Sequence, residues 1–144
     1  MGGIKNFESN LTRRNLLGDT ADNIRQIKGA VSDMYKEYKL MKSHGYKYLD
    51  DYYHCKANYN ATKRGTAGEK TAEIAGDIKE SFDYYRNIYY RKMNKQDAGI
   101  DYINDISINQ LGRNKAKYNS QLSAQDACAE LRDNNNRSLP KKYW

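Results

Sequence analysis

His54 stands inside DDYYHCKANYNATKRG, residues 50–65, with Asp50 and Asp51 one turn before it and Asn58 one turn after it if the segment is helical. A carboxylate bonded to one imidazole nitrogen fixes the tautomer and makes the other nitrogen more basic, which is what a general base needs. GDIKESFD places Asp77, Glu80 and Asp83 three residues apart. Asp101, Asp105 and Asn109 recur every four residues ahead of Gly112 and Arg113. Turned inward against the helix of His54, these rows would line a polar cleft. In it His54 would accept a proton, oriented by Asp50, Glu80 or Asp105. Asn109 and Arg113 would hold developing negative charge, with Asn58 as a further binding group. The competing expectations are a closed polar network that fixes helix register, or solvated helix faces.

Other chemistries find less support. No HExxH, EF-hand, phosphate-loop, nucleophile-elbow or zinc-finger spacing occurs, and His44 sits beside Gly45 rather than at ligand spacing from His54. No cofactor is therefore expected, with a divalent metal ion held by Asp and His as the less favoured alternative. Cys55 and Cys128 lie outside any CxxC pair. They read either as two separate buried thiols or as one long-range disulfide that fastens the C-terminal segment and implies an oxidising compartment.

These side chains need helices to position them. Ile24, Ile27, Val31, Met34, Tyr38 and Met41 form one stripe that begins after Asp19 or Thr20 and ends at Gly45. A second helix is expected over 48–63, with Leu49, Tyr53, Ala57 and Ala61 along one side and Gly65 as its left-handed stop. Thr66 and Glu69 suggest a capping box for a third helix, whose stripe runs from Thr71 through Ile74, Ile78, Phe82 and Tyr85 to Tyr89. A fourth, over 98–111, would give Ile100, Ile103, Ile106 and Leu111 to the core and stop at Gly112. A fifth is expected over 123–132. The sum is an all-α chain of about five helices in a compact orthogonal or bundle-like array. Residues 1–144 read as one domain, with 1–18 irregular or weakly ordered and 133–144 an irregular tail.

The length of 144 residues suits one domain. Aliphatic residues are scarce, so the 14 tyrosines must supply much of the buried surface. The net charge of +7 is compatible with an anionic substrate, an anionic surface or nucleic acid, but acidic residues are interspersed throughout. Neither a signal peptide nor a transmembrane run is apparent.

The order DDYYHCKANYNATKRG, GDIKESFD, DISINQLGR, CAELRDNNNRSLP resembles a family of uncharacterised bacterial domains found alone or at the ends of RHS-type polymorphic toxins. Tyr59 stands where that pattern has a second cysteine, and Lys79 where it has arginine. The resemblance implies a Cys55–Cys128 bridge. It also implies a secreted effector or toxin delivered to a periplasm or target cell, with an immunity protein or secretion-machine component as partner. If enzymatic, it would be a hydrolase. A non-enzymatic interaction module and a nucleic-acid or anionic-surface binder are the alternatives.

Overall fold

The computed structural model describes the backbone of residues 2–144 and the side chains of residues 19–46 and 48–144; α1 runs back to Gly2, and how well ordered residues 1–18 are lies outside what it describes. Five α-helices follow in order: α1 (Gly2–His44), α2 (Asp50–Lys63), α3 (Thr66–Tyr89), α4 (Lys95–Tyr118) and the short α5 (Ala124–Ala127). The all-α expectation is met. The tail is more regular than expected: β1 (Asp133–Asn134) pairs antiparallel with β2 (Arg137–Ser138), Asp133 facing Ser138. Asn135 and Asn136 take positive φ, 47° and 64°, as both central residues of a type I′ hairpin turn must.

Local signals set the helix ends, though not always as the sequence suggests. Gly45, at φ 73°, closes α1 by donating to the Met41 carbonyl. The side chain of Asn94 caps α4 by accepting from the Asp97 N–H at 2.8 Å. The capping box of Thr66 and Glu69 does not form. Instead Gln26 of α1 reaches across, its Oε1 accepting from the N–H groups of Ala67 at 2.9 Å and Gly68 at 3.4 Å. Glu69 pairs with Lys117 of α4 at 2.8 Å. Gly112 does not stop the fourth helix, which continues to Tyr118. The expected fifth helix shortens to α5 followed by a 3-10 turn over Ala129–Arg132.

The central element is α2, whose residues Tyr52, Tyr53, Cys55 to Tyr59, Ala61 and Thr62 are buried. α1 runs antiparallel to it, with Glu37 opposite Lys56 and Asp33 opposite Arg64. α3 and α4 are antiparallel to each other, as the pairs Glu69–Lys117 and Glu80–Asn109 require. The tail covers the other end of α2, where Leu49, Tyr52, Tyr53 and Cys55 pack with Cys128 and Leu139.

The long helices pack on their small and polar residues and expose their aliphatic stripes. Buried positions are Ala30 and Glu37 on α1, Gly68, Ala72, Gly76, Glu80 and Asn87 on α3, and Ala98, Asn109, Gly112 and Ala116 on α4. A Cβ on Gly112 would overlap the Cys55 carbonyl oxygen, and one on Gly68 the Ala61 carbonyl oxygen. Backbones this close leave no room between them for branched side chains. Ile100 and Ile103 are therefore half or more exposed rather than core, with Ile106 and Leu111 only partly covered. On α3, Ile78 is 55% and Phe82 73% exposed.

Candidate functional site

α1, α2 and α3 enclose a cleft of about 230 Å³. Met34, Tyr35, Tyr38 and Met41 of α1 and Ala75 of α3 form its apolar walls, and its polar lining is Glu37, His54, Asn58, Lys79, Glu80 and Asn109. Both faces come from helical spacing. Residues 34, 38 and 41 share one side of α1, and residues 54 and 58 are one turn apart on α2.

At the polar end a continuous relay ties three helices together. Arg113 Nη1 donates to Asn58 Oδ1 at 3.0 Å, Asn58 Nδ2 donates to Asn109 Oδ1 at 3.0 Å, and Asn109 Nδ2 donates to Glu80 Oε1 at 3.4 Å. Lys79 then bridges Glu80 at 3.2 Å and Asp83 at 2.8 Å, and Arg86 holds the other Asp83 oxygen at 2.7 Å. Asn58, Asn109 and Glu80 are buried. The sequence-selected residues thus meet, and much of their capacity is spent on one another. Arg113 binds Asn58, while Lys79 and Asn109 serve Glu80.

His54 is half-buried and faces the cleft, and its ring makes no hydrogen bond among the described residues. Burial, followed by the nearby Lys79 charge, lowers its pKa to about 4 against the opposing pull of Glu80 and Asp83. It is neutral at physiological pH, and its basicity falls rather than rises. Asp50 opens α2 one turn before it. Asp105 reaches Glu80. Burial, then the hydrogen bond with Glu80 and its charge, push the Asp105 pKa up to about 8, so near neutrality its carboxyl keeps the proton it donates.

The two shifts have opposite consequences for stability. Asp105, at about 8 folded and 3.8 unfolded, lowers stability as pH rises between those values. His54, at about 4 folded and 6.5 unfolded, raises it over that window. Above pH 6.5 only the Asp105 effect remains. Melting temperature is therefore expected to fall from pH 6.5 to 8, and Asp105→Asn, which mimics the protonated group, to flatten that fall. Thermal scans of both proteins across this range check it; parallel curves would remove Asp105 as the cause.

The bridge is present: Cys55 and Cys128 form a disulfide with Cα atoms 6.0 Å apart, and both residues are fully buried. Among the described residues no group of three or more His, Cys, Asp or Glu is arranged to hold a metal ion, and no helix is long and apolar enough to cross a membrane. Sequence reasoning missed Glu37 and Lys56, an ion pair at 2.9 Å buried in the α1–α2 interface. Their signal was a charged residue inside each packed face. It also missed the exposed aliphatic rows, which it assigned to packed stripes and core.

Fold and site together define a disulfide-fastened helical protein packed on polar and small residues, with apolar rows left outside. The chain belongs to the serum amyloid A protein family, whose model matches residues 21–143. It is 36% identical over 64 residues to the serum amyloid A protein of Notamacropus eugenii, covering 44% of this chain and 50% of that one. Serum amyloid A-3 protein of Oryctolagus cuniculus is 36% identical over 59 residues, 41% and 48% of the two chains. Serum amyloid A protein of Bos taurus is 28% identical over 83 residues, 58% and 64%. The chain spans about half the length of the first two of these relatives. No solved structure matches it.

The match overturns the bacterial reading. The motifs that resembled an RHS-type toxin domain lie inside the segment that matches serum amyloid A, and the expected effector, hydrolase, immunity partner and delivery to a periplasm or target cell go with that reading. In physical terms, Asn58, Asn109, Gly112 and Arg113 join α2 and α4 at close range. The relatives are named as serum proteins, in keeping with a secreted chain.

Proposed function

We propose that this chain is a binding protein that attaches to phospholipid surfaces through the unpartnered apolar rows of α1 and α3. The carrying observation is that Ile24, Ile27, Val31, Tyr35 and Tyr38 on α1, and Ile74, Ile78, Phe82, Tyr85 and Tyr89 on α3, are all exposed although each set forms one helical stripe. Two such rows exceed the scattered apolar exposure usual for a soluble surface. Charge supports a phospholipid as the occupant. The net charge is +7. Lys39 lies 4.7 Å from the ring centre of Tyr35, and Lys42 5.5 Å from that of Tyr38. From there an ammonium can reach a phosphate while the ring enters the acyl boundary.

Flotation with phosphatidylcholine vesicles containing an anionic fraction tests this reading. The native chain is expected to float. Ile78→Asp with Phe82→Asp should weaken binding by about tenfold or more, since each buried side chain contributes roughly 1.5–3 kcal/mol. Unfolding should change little because neither side chain is packed. Equal flotation of the double variant would sink the proposal. So would a native chain that fails to float and elutes as a dimer, which would assign the rows to a second copy.

A further inference from the structure

Three stretches of the chain have the form Asn-X-Ser/Thr with X other than proline: Asn10-Leu11-Thr12, Asn60-Ala61-Thr62 and Asn136-Arg137-Ser138. On a secreted chain that triplet is the acceptor for an N-linked oligosaccharide, the asparagine amide taking the sugar and the hydroxyl two residues on being required with it. The side chains of the first triplet lie outside those described. The other two are opposites in structure. Asn60-Ala61-Thr62 lies within α2, with Ala61 0% and Thr62 7% exposed and Asn60 half-buried. Presenting it to an enzyme means unwinding the central helix, and a bulky glycan on Asn60 would hold the neighbouring helices off α2.

Asn136 and Ser138 are both exposed, and among the described residues neither side chain is held by a hydrogen bond. Asn136 is the second central residue of the hairpin turn, at φ 64°. Glycine serves that position at least as well, so the turn alone does not call for an amide there. The neighbouring side chains are engaged: Asn134 donates to the Tyr48 carbonyl at 3.0 Å, and the Arg137 guanidinium lies 3.9 Å from the Tyr48 ring centre. The ladder between β1 and β2 has only two residue pairs, so this triplet can open without disturbing a helix.

We propose that Asn136 is an N-glycosylation site, modified in an oxidising secretory compartment of the kind that the Cys55–Cys128 disulfide requires. The donor class is an oligosaccharide carried on a polyprenyl diphosphate. The bond from the sugar C1 to the diphosphate oxygen breaks and a bond from C1 to Nδ2 of Asn136 forms. The polyprenyl diphosphate departs, and the amide proton passes to a base of the transferase. The glycan then stands on the tail hairpin beside Tyr48, beyond the His44 end of α1, and not on the apolar rows proposed for surface attachment.

The test is to export the full chain from cultured insect cells behind a cleavable leader, then map its peptides before and after treatment with peptide N-glycosidase. Asn136 is expected to carry an oligosaccharide, and the glycosidase to leave aspartate in its place. Ser138→Ala should abolish occupancy of Asn136 although the acceptor amide is untouched, and Ser138→Thr should keep it. Asn136→Gly should also remove the glycan without lowering the melting temperature, because glycine suits the positive φ; this variant separates loss of the acceptor from loss of the fold. An exported chain with Asn136 bare, from cells that fully modify a control glycoprotein, would overturn the assignment. So would occupancy that persists in Ser138→Ala, or a glycan on Asn60 in place of Asn136.

Discussion

Replacing Gly112 with alanine is expected to destabilise the chain by about 2 kcal/mol, against the direction helix propensity alone would give. In an exposed helix interior Gly→Ala gains roughly 0.5–1 kcal/mol. Here the new methyl would overlap the Cys55 carbonyl oxygen and stand 3.0 Å from the Asn58 Cβ. Neither is the far end of a flexible side chain, so α2 and α4 must move apart. Overpacking of that kind costs roughly 1–3 kcal/mol. The displacement also stretches the Asn58–Asn109 and Arg113–Asn58 hydrogen bonds that cross the same interface at 3.0 Å. Gly99 is the control on the same helix: a Cβ there meets nothing within 4 Å, so Gly99→Ala should stabilise. Urea unfolding of the two variants separates the terms. If Gly112→Ala proved as stable as Gly99→Ala, the close approach would not be what holds α4 to α2.

The same contact explains why the sequence described the elements better than their faces. Helix positions followed from stripes and stops: Gly45 ended α1 and Gly65 separated α2 from α3. Gly112 looked like another stop because a glycine in a helical pattern has two physical uses, termination and close approach, and local sequence does not separate them. The inversion of the faces has the same root. Helical period shows that Ile74, Ile78, Phe82 and Tyr85 share a side of α3, and hydrophobicity then sends that side inward. What reverses it is the opposite side, where Gly68, Ala72 and Gly76 stand four residues apart, Gly68 against the Ala61 carbonyl and Gly76 against the Asn109 side chain. That preference depends on the partner helix, which a single stripe does not contain.

The site was legible in its members more than in its meaning. The rows holding Glu80, Asp105 and Asn109 do turn toward His54 and Asn58. Their roles depended on numbers that spacing does not carry. The expected base, His54, is held neutral by burial, while Asp105, expected as a carboxylate, keeps its proton near neutrality. Glu37 and Lys56 went unread because a lone charge on each of two packed helices is a weak signal until the two meet.

Removing the bridge with Cys55→Ala and Cys128→Ala is expected to cost about 4 kcal/mol. The two residues are 73 positions apart, and closing a loop of that size restricts the unfolded chain by roughly that amount. Native contacts offset none of this, since they survive the substitution. Tyr59 still donates to the Asn119 carbonyl at 3.0 Å, Arg132 lies 5.4 Å from the Tyr52 ring centre, and Tyr143 stacks on His44 at 3.7 Å. The tail of the variant should therefore dock in the same place and open more often. Hydrogen exchange over residues 124–139 should speed up more than over the α1–α2 interface, and urea unfolding should shift to lower denaturant. With the bridge intact, both cysteines are fully buried, so a thiol reductant can attack only after the tail lifts, and reduction should proceed at the opening rate whatever the reductant concentration, once that is high. A double-alanine variant as stable as the native chain would show that aromatic and backbone contacts alone hold the tail, and the disulfide would then have no part in fastening it.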